Sequence, residues 1–180
     1  MQALVVYESM YGNTHIVAGN IADGLRATHE VTLVPVAGAT DGLVAGADLL
    51  VVGGPTHLHR LSSAATRRMA AQAVKPASGL TLDPDASGPG LQDWLKGIGG
   101  GPAVAAAFDT RLNGVPALTG RASRGIGRLL KRDGYRLIAA PESFLVSRRD
   151  TLLDGEAARA RRWGAALGVV ASSINLPAPA

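Results

Sequence analysis

The sequence predicts an α/β fold: a doubly wound parallel sheet of five strands in the order 2-1-3-4-5, with helices on both faces. Three observations predict it. The runs Ala3-Leu4-Val5-Val6-Tyr7 and Leu49-Leu50-Val51-Val52 are short and continuously apolar, as strands covered on both faces require. Segments of helical period alternate with such runs, which implies βαβ crossovers. Five strands in 180 residues suit this order better than a six-stranded dinucleotide fold.

The elements follow in order. Ala3 to Tyr7 is the first strand and Glu8 to Asn13 a polar turn. Ile16, Val17, Ile21, Ala22 and Leu25 mark the first helix. Val31 to Val36 alternates as a near-edge strand does, with Pro35 limiting its pairing. Asp48 to Gly54 is the third strand, and Ser62 or Ser63 can cap a helix running to about Val74. Residues 76–90 are rich in Pro, Gly, Ser and Asp and read as an exposed loop before a short helix at Gly90–Gly97. Ala103 to Phe108 is the fourth strand, and Arg121 to Arg132 a basic helix. Tyr135 to Val146 is a fifth strand broken by Pro141, and Gly155 to Ser172 the closing helix. The expected organisation is one domain over 1–176 with a disordered tail at 177–180.

Composition narrows the chemistry. With no cysteine the chain has no disulfide framework, thiolate metal site or cysteine nucleophile. Four histidines without an HExxH spacing give no zinc motif. Asp83, Asp85 and Asp93 read as a solvated acidic stretch rather than a cation site, and no metal is expected. His15 and His29 read as surface positions. No stretch reaches the length of a transmembrane helix and no signal peptide is evident, so a cytoplasmic protein is expected.

A formal net charge of +4 and a pI near 10.0 raise the question of an anionic partner. The charge is uneven. Residues 1–100 carry 6 basic and 8 acidic side chains, residues 101–180 carry 12 and 6. Much of the excess lies at Arg121, Arg124, Arg128, Lys131, Arg132 and Arg136. Positions 121, 124, 128 and 132 fall on one helical face, with Ile126, Leu129 and Leu130 opposite. This reads as a solvated face or as a docking surface, over 121–136, for an acidic partner. Nucleic acid is not expected, because no recognition motif or interleaved aromatics accompany the charge.

The loop Glu8-Ser9-Met10-Tyr11-Gly12-Asn13-Thr14 carries the most information. It is neither a Walker A loop nor GxGxxG, and Ser9 is not in a GxSxG elbow. It offers hydroxyls, a glycine free to take φ > 0, and the unpaired N–H groups of a helix start, where the helix dipole favours a phosphate. It holds no Lys or Arg, so a bound dianion would depend on hydrogen bonds. An ordinary capped strand–helix turn fits the loop alone as well.

Ser9-x-Tyr11-Gly12-Asn13-Thr14 resembles the FMN-phosphate loop of the flavodoxin family, usually S/T-x-T-G-x-T, with Tyr11 in place of the middle Thr. Gly53-Gly54-Pro55-Thr56-His57 after strand 3 and Phe108-Asp109-Thr110-Arg111 after strand 4 match the same family in register. In this the chain resembles small bacterial flavodoxin-domain proteins with GGPTH and FDTR loops. These are the carboxyl ends of strands 1, 3 and 4, where an open α/β sheet binds ligands. The resemblance extends from Leu4 to the last helix and implies a flavodoxin-like fold with FMN as cofactor.

It also implies roles. Ser9, Met10, Tyr11, Gly12, Asn13 and Thr14 would hold the phosphate. Pro55, Thr56, His57, Leu58 and His59 would border one side of the isoalloxazine, and Phe108, Asp109, Thr110 and Arg111 its pyrimidine edge and other face. Arg111 either steadies charge near N1/O2 of a reduced flavin or forms a salt bridge at the sheet rim. His57 and His59 are ring contacts or, less directly, proton donors. Flavodoxins commonly stack the ring between aromatics, whereas the two Trp here, Trp94 and Trp163, stand outside the ring loops. Trp163 is expected to pack the last helix on the sheet.

The resemblance therefore implies an FMN-binding redox protein, either an electron carrier meeting a redox partner protein or a reductase of a quinone-like small-molecule acceptor. The alternative is a flavodoxin-fold interaction module with weak or lost FMN binding.

Overall fold

The structure is a computed structural model and describes residues 1–57, 59–99 and 104–175. Leu58, Ala103 and the tail at 177–180 lie outside the described residues.

The chain runs β1 (Gln2–Tyr7), α1 (Asn13–Leu25), β2 (Glu30–Pro35), a 3₁₀ turn (Val36–Gly38), α2 (Asp41–Ala45), β3 (Leu49–His57), β4 (Arg60–Leu61), α3 (Ala64–Ala73), α4 (Leu91–Gly97), β5 (Val104–Leu112), α5 (Pro116–Thr119), α6 (Ala122–Arg132), β6 (Arg136–Leu137), β7 (Glu142–Val146) and α7 (Glu156–Asn175). The core sheet is parallel, in the order β2-β1-β3-β5, with β6 and β7 both along the far edge of β5. This is the predicted 2-1-3-4-5 arrangement, with the fifth strand realised in two pieces around Pro141. A proline has no N–H for the ladder, so pairing lapses there and resumes at Glu142.

Alternation along each strand separates two cores. Val5, Tyr7, Val51, Phe108 and Phe144 face α1 and α7. Leu4, Val6, Leu50 and Val52 face Leu91 and Leu95 of α4 and Ile126 and Leu130 of α6. Trp163 does pack the last helix on the sheet, meeting Phe108 and Phe144 edge-on at centroid distances of 6.4 and 6.1 Å. Such pairs stabilise by roughly 0.5–1.5 kcal/mol beyond the area they bury.

Several boundaries differ from the sequence reading. β3 continues three residues past Gly54, because Pro55 pairs with Thr110 while Thr56 and His57 turn back onto β4 as an antiparallel hairpin. β5 likewise runs to Leu112, since Phe108 to Leu112 pair with β7. The segments expected as loops after both strands are thus largely strand. Of the two candidate serines, Ser63 caps α3, forming a reciprocal capping box with Thr66. The short helices α2 and α5 have too few turns to show a period. His29 is buried rather than exposed, with Nδ1 2.8 Å from the Thr28 hydroxyl.

Candidate functional site

The carboxyl ends of β1, β3, β5 and β7 converge on a cavity of about 230 Å³. Met10, Tyr11, Asn13 and Thr14 line one wall, Pro55, Thr56 and His57 a second, and Thr110, Arg111 and Leu112 a third, with Val146 and Asp150 closing it. Nine of the fifteen residues expected from the sequence thus line one space. Ser9, Gly12, His59, Phe108 and Asp109 do not line it, and Leu58 is outside the described residues, with Leu112 and Val146 added at the rim.

The first loop is held by its own hydrogen bonds. Gly12 caps α1 with φ 92°, a left-handed conformation that suits glycine, and its N–H donates to the Ser9 hydroxyl at 3.1 Å. Ser9 is 1% exposed and serves that turn. Tyr11 donates its hydroxyl to the Ala70 carbonyl (2.8 Å), and the Asn13 amide donates to the Asp150 carbonyl (2.9 Å). The Thr14 and Thr110 hydroxyls lie 2.7 Å apart. Two hydroxyls share one hydrogen bond between them, so one hydrogen of the pair is left over. The first-turn N–H groups of α1 have no partner within the helix.

On the other two walls the polar side chains support the fold. Asp109 is fully buried, and its Oδ2 accepts from the Ser123 N–H at 2.7 Å and from the Thr56 hydroxyl at 3.1 Å. The Thr56 hydroxyl in turn accepts from the Ala122 N–H at 2.9 Å. Thr56 and Asp109 therefore cap α6 from the neighbouring strands, a carboxylate at the positive end of a helix. Burial pushes the Asp109 carboxyl up, while its hydrogen bonds act the other way. Phe108 lies in the core, fully buried. Among the described residues Arg111 forms no salt bridge: its Nη1 donates to the carbonyls of Leu112 and Gly114 and to the Thr119 hydroxyl. The salt-bridge reading of Arg111 is therefore corrected. Burial lowers its pKa, yet a guanidinium stays charged.

Glu8 was read only as part of a polar turn, but it ties this end of the sheet together. Its buried carboxylate accepts from the Ser62 hydroxyl (2.5 Å) and from the Leu91 N–H at the start of α4 (2.7 Å), with Arg67 Nε 3.6 Å away. Nor is the acidic stretch a solvated one throughout. Asp83 is buried, 3.4 Å from His15 Nδ1, and Asp85 accepts from the Tyr7 hydroxyl, while Asp93 pairs with Lys96 on α4.

Asp150 lines the same cavity, and the sequence did not single it out. It adopts φ 56°, a region in which Asp is enriched, and burial raises its carboxyl pKa. The signal was topological: if the loops after strands 1, 3 and 4 reach the switch point, the loop after the fifth strand borders it too.

The β3–β4 turn also meets the loop before α6. His59 has φ 71° and forms a bridge with Gly120. Gly120 has φ 77°, and a Cβ there would overlap the His59 backbone. The two loops expected on either side of a flavin ring are thus joined at this point.

The donor set fits a phosphate monoester: N–H groups of a helix start, a spare hydroxyl hydrogen, and a glycine with open space before it. At about 230 Å³ the cavity is below the roughly 300–1,000 Å³ usual for whole ligands, so it suits the phosphate and ribityl portion of FMN.

No protein-family model and no curated protein matches the sequence. Solved structures do match in shape. A flavodoxin from the domain Archaea is 17% identical with a TM-score of 0.66, covering 96% of this chain and 99% of that one. Oxidised flavodoxin 1 from Bacillus cereus is 18% identical with a TM-score of 0.64 over 98% and 100% of the two chains. The fold is flavodoxin-like. A flavodiiron core from Synechocystis, 14% identical with a TM-score of 0.65, matches 97% of this chain but over only 37% of its own length. Among the described residues no helix is long and apolar enough to cross a membrane.

Proposed function

We propose that this chain is an FMN-binding redox protein, carrying electrons or reducing a quinone-like acceptor. The observation that carries the reading is the convergence of a cation-free loop of hydroxyls and helix N–H groups with the ends of β3 and β5 on one cavity. Flavodoxins with the same fold support it. FMN, when bound, supplies one- and two-electron chemistry. Thr14, through its hydroxyl or that of Thr110, and the first turn of α1 would hold the phosphate. Arg111, fixed by three acceptors, would present positive charge beside the ring site. His57, kept neutral near neutral pH because burial lowers its pKa, leaves Nε2 without a partner.

A second reading, an interaction module with weak or lost FMN binding, draws on the His59–Gly120 bridge and on ring loops without Trp, Tyr or Phe between residues 55 and 61 or 109 and 120. Titration of the purified protein with FMN, followed by flavin fluorescence, separates the two. Quenching is expected, with Thr14→Ala weakening binding about tenfold through loss of one hydrogen bond to a charged group. No quenching at tens of micromolar would leave the interaction module. Steady NAD(P)H oxidation with a quinone, without added reductase, would then mark an enzyme rather than a carrier.

A further inference from the structure

A second cavity, of about 730 Å³, lies beyond His57 between the β3–β4 hairpin and α6. His57 lines both spaces. Arg60, Arg121 and Arg128 line this one with His59 and Gln92, over a floor that includes Leu61 and Leu129. No carboxylate lines it among the described residues.

Two details separate this slot from an ordinary basic surface. The Arg121 Nε and the His57 Nε2 are buried and have no hydrogen-bond partner. Buried polar nitrogens are nearly always satisfied, so two orphans on one cavity need an explanation. The α6 N-terminus does not supply one, because its Ala122 and Ser123 N–H groups already donate to Thr56 and Asp109. The nearby carboxylates do not line the slot: Glu8 holds Ser62 and Leu91, and Asp109 holds α6 through Oδ2, with its Oδ1 buried and without a partner. Three guanidiniums thus share a concave space with no counter-charge in its lining. A guanidinium presents a planar fork that matches a carboxylate or phosphate.

We propose that this slot binds a small organic polyanion: a partly apolar body resting on Leu61 and Leu129, with two or more phosphate or carboxylate groups held by Arg60, Arg121 and Arg128. A docked acidic protein would draw on exposed charge such as Arg124, Lys131 and Arg132, and would not account for nitrogens buried within a cavity. The three guanidiniums all lie outside the 230 Å³ space, while His57 lines both.

The test is calorimetric titration of the full chain, without FMN, using pyrophosphate, ADP and citrate as probes. At least one should bind with a Kd of roughly 1 mM or tighter, and preference between the phosphates and citrate identifies the oxyanion. Arg60→Ala/Arg128→Ala removes two exposed side chains, so the fold should persist by circular dichroism, and it should weaken binding at least about tenfold. Thr14→Ala should bind the probes as wild type does, which separates this site from FMN binding. The proposal is overturned if no probe binds, if the double variant binds unchanged, or if only a polyglutamate peptide binds.

Discussion

The two cavities that share His57 address negative charge in opposite ways. The space at the β1–α1 turn contains helix N–H groups and hydroxyls already set by internal bonds, Gly12 to Ser9, Asn13 to Asp150 and Thr14 to Thr110. The slot beside α6 contains guanidiniums whose polar atoms are partly unmatched. In the first, geometry is fixed before anything arrives, so little reorganisation accompanies binding. In the second, unrelieved positive charge attracts from a distance and is screened by salt over about 8–10 Å. A pI near 10.0 therefore says little about the hydroxyl-lined end of the first space, with Arg111 at its far wall, and more about the second.

Substitutions can break this contrast, the largest effect coming from the residue that braces both sides. Glu8→Ala removes a buried carboxylate facing Arg67, Ser62 and Leu91, and should lower unfolding free energy by about 3–5 kcal/mol in urea titration. It should loosen both cavities together. Gly120→Ala drives a Cβ into the His59 backbone and imposes a left-handed conformation on alanine, at a cost of about 1–3 kcal/mol by the same assay. Unlike Glu8→Ala, it should act on the hairpin side and leave the Ser9–Gly12 turn intact.

The smallest effect is a pH dependence. Burial lowers the pKa of His57 and of His29 below the ordinary 6.5. The unfolded chain then binds more protons, so stability is full above pH 6.5 and falls as the pH drops through 6.5 toward the lowered values. Thermal unfolding from pH 8 to 5 should show a modest decline, reduced in His57→Gln. A polyanion in the slot should also reduce it, whereas occupancy of the hydroxyl-lined space alone should change it less.

The sheet was legible because strands buried on both faces have a simple signature, as in Leu49 to Val52. Helix α6 was legible from the alternation of Arg124 and Arg128 with Ile126 and Leu130. Strand ends were not. Asp109 and Thr110 are polar and read as loop, and what keeps them in strand is pairing with Ser143 and Phe144, thirty-four residues onward. Most of the expected residues line one cavity because the motifs that carry the resemblance lie at strand ends. Their present partners were not legible, since Asn13 reaches Asp150 and Glu8 reaches Leu91 across long stretches of sequence. Local patterns carry no record of such pairs. Arg121 shows the same limit: its spacing put it on a solvated helical face, but as the cap residue of α6 it turns into the slot.

The junction of His59 with Gly120 has a consequence for how tightly anything is held between those loops. A ligand that needs them apart binds only the open fraction of molecules. If closure is favoured by about 1.4 kcal/mol, that fraction is about one in eleven and the apparent Kd rises about elevenfold. A second ligand that favours the closed arrangement deepens the deficit, and by reciprocity the first weakens the second to the same degree. Two neighbouring sites on a chain of 180 residues would then be able to compete through this junction as well as through the His57 they share.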